Sequence, residues 1–275
     1  MIKTLLTPSF LSVIVIFILA IAPAFAQGDL MVMPKRIVFD GSQRTQEINL
    51  ANTGSDTAVY AISFINYKMT EDGNFEQVEE PEEGQRFATD FLRYFPRRVI
   101  LAPNEAQTIR VQLTRTGNLE HGEYRSHIYF RAVEEETALG EDTNEEAEGI
   151  SINIKTVFGI SIPVIIKQGS STTNISLSDI ELDRSTENAE LSLTINRSGN
   201  MSVYGNLKVD HISPNGTTTE VGMVKGISVY TPNVKRKFSM ELRNAGGIDL
   251  NSGNLQIQYS EDKGENLSTS QIPLD

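Results

Sequence analysis

The chain has no cysteine, no tryptophan and only three histidines among its 275 residues. Without cysteine it has no thiol nucleophile, no thiolate metal site and no disulfide framework. Three histidines leave little material for a zinc site or a histidine general base. The absence of tryptophan argues against a carbohydrate-binding site built on aromatic platforms. Basic residues are also short, with 24 lysines and arginines against 36 aspartates and glutamates and a net charge of −12. So acidic a chain is poorly suited to the phosphate backbone, and no nucleic-acid partner is expected. There is no Gly-rich phosphate loop and no Gly-x-Ser-x-Gly elbow. Paired carboxylates are plentiful only in polar runs, where water solvates them and leaves them unsuited to acid catalysis. The sequence therefore predicts no catalytic residues, no metal site, no cofactor and no enzymatic activity.

What is present begins with an address. Lys3 precedes an apolar run from Leu11 to Ala22, and Ala24-Phe25-Ala26 follows with small residues at its first and third places. This order reads as a secretory signal peptide over residues 1–26, cleaved before Gln27. The apolar run falls short of the ~20 residues that a spanning helix needs. No later segment has the composition of a span, so no membrane span is expected after cleavage. The five Asn-x-Ser/Thr triplets, at Asn174, Asn196, Asn200, Asn215 and Asn266, are ordinary for an Asn/Ser/Thr-rich half.

Beyond residue 27 the dominant pattern is period-two alternation in short segments. Val59–Ile65, Ile109–Leu113, His127–Arg131, Leu191–Ile195, Leu207–Val209 and Leu255–Tyr259 all carry it. Turn residues separate them: Asp40-Gly41, Asn52-Thr53-Gly54, Asp72-Gly73-Asn74, Pro103-Asn104, Ser213–Gly216 and Gly246-Gly247. No segment has a sustained helical period. Short strands at this spacing predict an all-β protein of two immunoglobulin-like β-sandwiches. The polar, Gly-containing stretch Lys167–Thr173 marks a short linker. It divides the chain into an N-terminal domain over 27–168 and a C-terminal β-sandwich over 169–275, at a restricted angle. His127 alternates within its strand and reads as a packing or surface residue. Two acidic stretches, Glu71–Glu83 and Glu134–Glu148, read as solvated mobile loops. Their carboxylates lack the offsets of a calcium loop.

One segment is unusual. In Ile150–Ile166, the residues Ile150, Ile152, Ile154, Phe158, Ile160 and Ile162 share one parity, while Ser151, Asn153, Lys155, Gly159 and Ser161 share the other. Alternate residues of a strand point to opposite faces, so this is a long strand with a continuous apolar row. It either closes the core of the first domain or offers part of that row to a partner. A long, exposed apolar edge is an aggregation hazard, and a secreted protein that keeps one uses it for pairing.

At this point the sequence resembles the PapD-like periplasmic chaperones of pilus and fimbria assembly. Arg36-Ile-Val-Phe-Asp-Gly41 is similar to that family's first-strand motif, and Phe95–Val111 to its Pro-containing segment and following Arg-bearing strand. Glu123–Arg131 resembles the next strand, and the alternating strand ending at Ile162-Pro163 resembles the donor strand. The likeness covers about 31–166. Beyond it, only size and strand pattern fit. The resemblance implies a periplasmic protein that binds pilus or fimbrial subunits by donor-strand complementation and delivers them for assembly, with an outer-membrane usher as a further partner. It implies donated residues from Ile150, Ile152, Ile154 and Phe158. It further implies that two basic residues hold the subunit's C-terminal carboxylate, the first being Arg36. The family's second, a lysine a few residues before the proline, has no counterpart in place, since Phe158-Gly159 stands there. Lys155 is the nearest basic residue, and it reaches the same face if Gly159 marks a bulge. The alternative reading is a two-domain β-sandwich surface or adhesion protein. A pilus subunit itself is disfavoured, because Gln27–Pro34 is too short and irregular for an N-terminal donor strand.

Overall fold

The structure, a computed structural model, describes residues 30–133, 158–185, 188–243, 248–262 and 264–274. The signal segment, the acidic run Glu134–Glu148, and Ile150, Ile152, Ile154 and Lys155 lie outside the described residues. The architecture is all-β, in two sandwiches. Among the described residues the only helical segments are the short 3₁₀ turns Thr89–Phe91 and Thr116–Asn118. No helix there is long and apolar enough to cross a membrane.

In the first sandwich, one sheet runs β1 (Leu30–Met33), β3 (Thr45–Asn52), β9 (Ala106–Leu113) and β7 (Leu92–Phe95). The facing sheet runs β2 (Ile37–Phe39), β11 (Gly159–Gln168), β10 (Gly122–Ala132), β4 (Ala58–Ile65) and β8 (Arg98–Leu101). All neighbours are antiparallel except β2 and β11. Alternation decides which residues go inside. Ile48, Leu50, Ile109 and Val111 of one sheet meet Phe39, Ile62, Ile128, Phe130, Val164 and Ile166 of the other in a single core. Burial of such side chains stabilises by roughly 1.5–3 kcal/mol each before ordering costs.

The second sandwich packs β12 (Asn174–Asp183), β13 (Glu190–Ser198) and β16 (Lys235–Glu241) on a four-stranded sheet. That sheet runs β15 (Thr218–Val229), β14 (Val203–Ile212), β17 (Gly253–Glu261) and β18 (Asn266–Leu274). Its core is separate and includes Leu191, Leu193, Ile195, Leu207, Val209, Ile257 and Tyr259. No ladder joins the two groups of sheets; the chain passes between them over 169–173. The turn signals fall where the backbone needs them: Gly41, Gly73 and Gly216 take φ of 92°, 83° and 87°, and Asn104 takes 62°.

The first acidic stretch departs from the expected mobile loop. Tyr67–Met69 (β5) and Phe75–Gln77 (β6) pair as a hairpin turned at Asp72-Gly73. Its carboxylates stay exposed, but its backbone docks on the second sandwich. The Lys237 N–H donates to the Glu71 carbonyl at 2.7 Å, and Asn233 Nδ2 donates to the Met69 carbonyl at 2.7 Å. Lys235 pairs with Glu71 at 3.3 Å. Complementary groups on β16, far away in sequence, turn this acidic run into a clasp.

Candidate functional site

The apolar row identified in the sequence continues into β11 and runs off the end of the core. Ile162, Val164 and Ile166 are buried between the sheets. On the same face Ile160 is 36% exposed, and Phe158, just before the strand, is 48% exposed. One edge of β11 is fully paired with β10, from Gly122↔Gln168 to Arg131↔Gly159. On the other edge β2 covers only Val164, Ile165 and Ile166. Among the described residues no strand pairs with Gly159–Pro163 on that side. Phe158 is fixed to the sheet by its carbonyl, which accepts from the Ala132 N–H at 3.0 Å. An edge strand with unpaired backbone groups and exposed apolar side chains is a template for adding another strand.

Lys155 lies outside the described residues, and the β10–β11 ladder reaches its last pair at Gly159 without a register shift. Glycine is needed there because the Tyr129 ring lies where a Cβ would stand.

Arg36 immediately precedes β2. Ile37 and Phe39 point into the core, so Arg36 and Val38 take the outer face, where Arg36 meets the second sandwich. The Arg36 guanidinium carbon lies 3.9 Å from the centroid of the Tyr204 ring at the start of β14. Among the described residues no hydrogen bond or ion pair holds Arg36, so its N–H donors have no protein acceptor there.

The cleft floor is a polar joint. Along β10, Tyr124, Ile128 and Phe130 point inward, and Glu123, Arg125 and His127 point to the second sandwich. The Glu123 side chain has 0% exposure. Its carboxylate accepts from Ser202 N–H at 3.0 Å and Ser202 Oγ at 2.7 Å, and from Arg125 Nε and Nη2 at 3.0 and 2.7 Å. Burial pushes the Glu123 carboxyl up, but the Arg125 charge and the Ser202 donors outweigh it and hold it below its ordinary value. Arg125 also stacks 3.6 Å from the Tyr230 ring centroid. Arg197 gathers the opposite wall, donating to the carbonyls of Gly199, Met201, Pro232 and Asn233.

His127 closes the joint as a packing residue. Its ring lies 4.9 Å from Tyr67, 6.3 Å from Phe75 and 6.4 Å from Tyr230. Burial, with a lesser push from the Arg125 charge, lowers its pKa to about 3, and its Nδ1 has no hydrogen-bond partner. Because the folded value is depressed, this stability is present above the ordinary value of 6.5 and is lost as pH falls from there toward 3. Between pH 6.5 and 4.5 the loss should reach about 2 kcal/mol. Thermal melting across that range should therefore show a falling midpoint in the natural protein and a nearly level one in His127→Phe. Parallel curves for the two would show that His127 is not the acid-sensitive group.

Arg36 stands on the outer face of its sheet and Phe158 on the parity of the core-facing row of β11, and the described residues hold no cluster fit for a metal. Sequence reading missed Glu123, Ser202, Tyr204 and Tyr230. The one local signal was Glu123, Arg125 and His127 at alternate places of a strand whose other face is apolar. That signal marks a second buried face, though not what covers it.

Comparison of the sequence with protein-family models and with curated proteins finds no match. Comparison with solved structures finds similarity to chaperones. One is the YadV chaperone, at 12% identity and a TM-score of 0.45, covering 90% of this chain and 100% of that one. Another is the Pseudomonas aeruginosa CupB2 chaperone, at 14% identity and a TM-score of 0.42, covering 89% and 100%. A third is a chain in the Salmonella enterica SafA pilin–SafB chaperone complex, at 11% identity and a TM-score of 0.42, covering 91% and 99%.

Proposed function

We propose that the protein is a periplasmic chaperone without enzymatic activity that binds pilus or fimbrial subunits by donor-strand complementation and passes them to an outer-membrane usher. In this reading residues 1–26 direct export, 27–168 form the chaperone domain carrying the donor strand, and 169–275 complete the cleft. The observation that supports it is the stretch of β11 edge that no strand pairs among the described residues, where an apolar row leaves the core and becomes exposed at Ile160 and Phe158. A subunit that lacks the last strand of its sandwich exposes core along an open groove. The chaperone supplies that strand: backbone hydrogen bonds from the edge, and side chains from Phe158 and, further along the row, Ile154, Ile152 and Ile150. Three or four buried side chains contribute roughly 5–12 kcal/mol before ordering costs. That suffices to hold an unstable partner without ATP or a covalent step. Arg36 anchors the subunit's C-terminal carboxylate, which a guanidinium holds bidentately, and Lys155 is proposed as the second basic group.

The test is affinity capture of the tagged, exported protein from its own periplasm, followed by mass spectrometry, with Arg36→Ala run beside it. A small β-rich exported subunit should be recovered with the natural protein. Its yield should fall with Arg36→Ala, whose melting temperature stays unchanged. Empty capture from cells confirmed to make pilus subunits would count against the chaperone role. Equal yield from both proteins would count against the Arg36 anchor.

A further inference from the structure

Arg36 and Tyr204 come from different sandwiches, and their contact constrains how a bound carboxylate is met. A guanidinium has two kinds of surface: its flat faces, which stack on rings, and its in-plane edge, which carries all five N–H donors. Here a face is occupied, with the guanidinium carbon 3.9 Å from the Tyr204 ring centroid. The edge has no protein acceptor among the described residues. Stacking therefore fixes the plane of the donor fork without using any of its donors.

The ring is itself held from behind. Gly226 lies at an irregularity of the β14–β15 ladder, where the register shifts between Gly205 and Asn206. Its φ is +81°, and its N–H donates to Asn206 Oδ1 at 3.2 Å. A Cβ at Gly226 would stand 3.0 Å from the Tyr204 hydroxyl, so the glycine bulge leaves room for the outer end of the ring. At the near end, Ser202, two residues before Tyr204, is tied to buried Glu123 of the first sandwich at 2.7 Å. Tyr204 is thus set from both sides while the residue remains 39% exposed.

We propose that Tyr204 is a positioning residue for Arg36: its ring holds the guanidinium by one face and so presents the in-plane N–H fork to the C-terminal carboxylate of a strand bound along β11. The anchor is then a composite of both sandwiches and is complete only while the joint holds them at the observed angle. This inference rests on the reading of Arg36 as the carboxylate anchor.

The probe is a short synthetic peptide of alternating valine and serine residues, made once with a free C-terminal carboxylate and once with a carboxamide. Binding of each is measured by calorimetry at pH 7, and the free-acid to amide affinity ratio is the readout. The natural protein should prefer the free acid by on the order of tenfold. Tyr204→Phe, which keeps the ring, should retain that ratio. Tyr204→Leu should lower it by about threefold or more, with little change in amide binding. Arg36→Lys keeps the charge but not the planar fork, and should lower the ratio whatever stands at 204. A natural protein that binds both peptides equally, or neither, would refute the anchor itself. A natural protein that discriminates while Tyr204→Leu discriminates as well would refute the role of Tyr204 and leave the anchor standing. The melting temperature of Tyr204→Leu should stay close to that of the natural protein, because the side chain is partly exposed.

Discussion

Glu123→Ala is expected to destabilise the protein by about 3–5 kcal/mol. The carboxylate is wholly buried and accepts four hydrogen bonds, two from Ser202 of the second sandwich and two from Arg125. Removing it strands the Arg125 guanidinium, whose side chain is only 11% exposed, without its counter-charge. It also leaves the Ser202 N–H buried without an acceptor, at a further cost of about 1–3 kcal/mol if no water enters. Urea unfolding at pH 7 should give a lower midpoint. The pH dependence fixes the cause. The Glu123 carboxyl is held below its ordinary value of 4.5, so its contribution is present above that pH and disappears as pH falls through the folded value. Glu123→Gln keeps the shape without the charge. It should therefore melt lower than the natural protein at pH 7 and converge with it in acid. A Gln variant equally stable at neutral pH would show that the charge contributes nothing net to the joint.

The features legible in the sequence were those set by local pattern. Ile109 to Leu113, Leu191 to Ile195, and Leu255 to Tyr259 alternate because each strand has one face on a core, and alternation is a property of neighbouring residues. Asp40-Gly41 and Asp72-Gly73 marked turns because few residues accept a positive φ. The apolar row through Ile160 was legible for the same reason. What escaped notice depends on contacts between distant parts of the chain. Glu123 and Ser202 are separated by 79 positions, and nothing in either neighbourhood announces the other. Arg36 was picked out by its motif, but Tyr204, which holds it, has no motif. The acidic run at Glu71 read as solvated because its carboxylates are. The hairpin's hydrogen bonds to β16 and to Asn233 just before it go through the backbone carbonyls of Glu71 and Met69, which sequence composition does not report. The parallel pairing of β2 with β11 is likewise a matter of topology, and it decides how much of the β11 edge is left open.

That open edge yields the prediction that most directly tests function. The double variant Phe158→Asp, Ile160→Asp should fold and export normally but capture subunits at least about a hundredfold more weakly. Stability should barely change, because both side chains are substantially exposed and neither belongs to the buried core of the first sandwich. Binding should change greatly for two additive reasons. The apolar contribution lost is about 1 kcal/mol per residue, since each side chain is already half covered before a partner arrives. The larger part comes from the new carboxylates. An added strand would press them into an apolar groove with no cation to meet them, at a cost of several kcal/mol. A paired control, Phe158→Leu with Ile160→Val, keeps the face apolar and should lose only a fewfold. Pull-down of a co-expressed fimbrial subunit, quantified against the natural protein, separates the cases. Loss in the aspartate pair and retention in the apolar pair place the partner on this edge. Full capture by the aspartate pair would mean that the exposed end of the row is not where the subunit binds, and the donor-strand reading would have to be given up for the described part of β11.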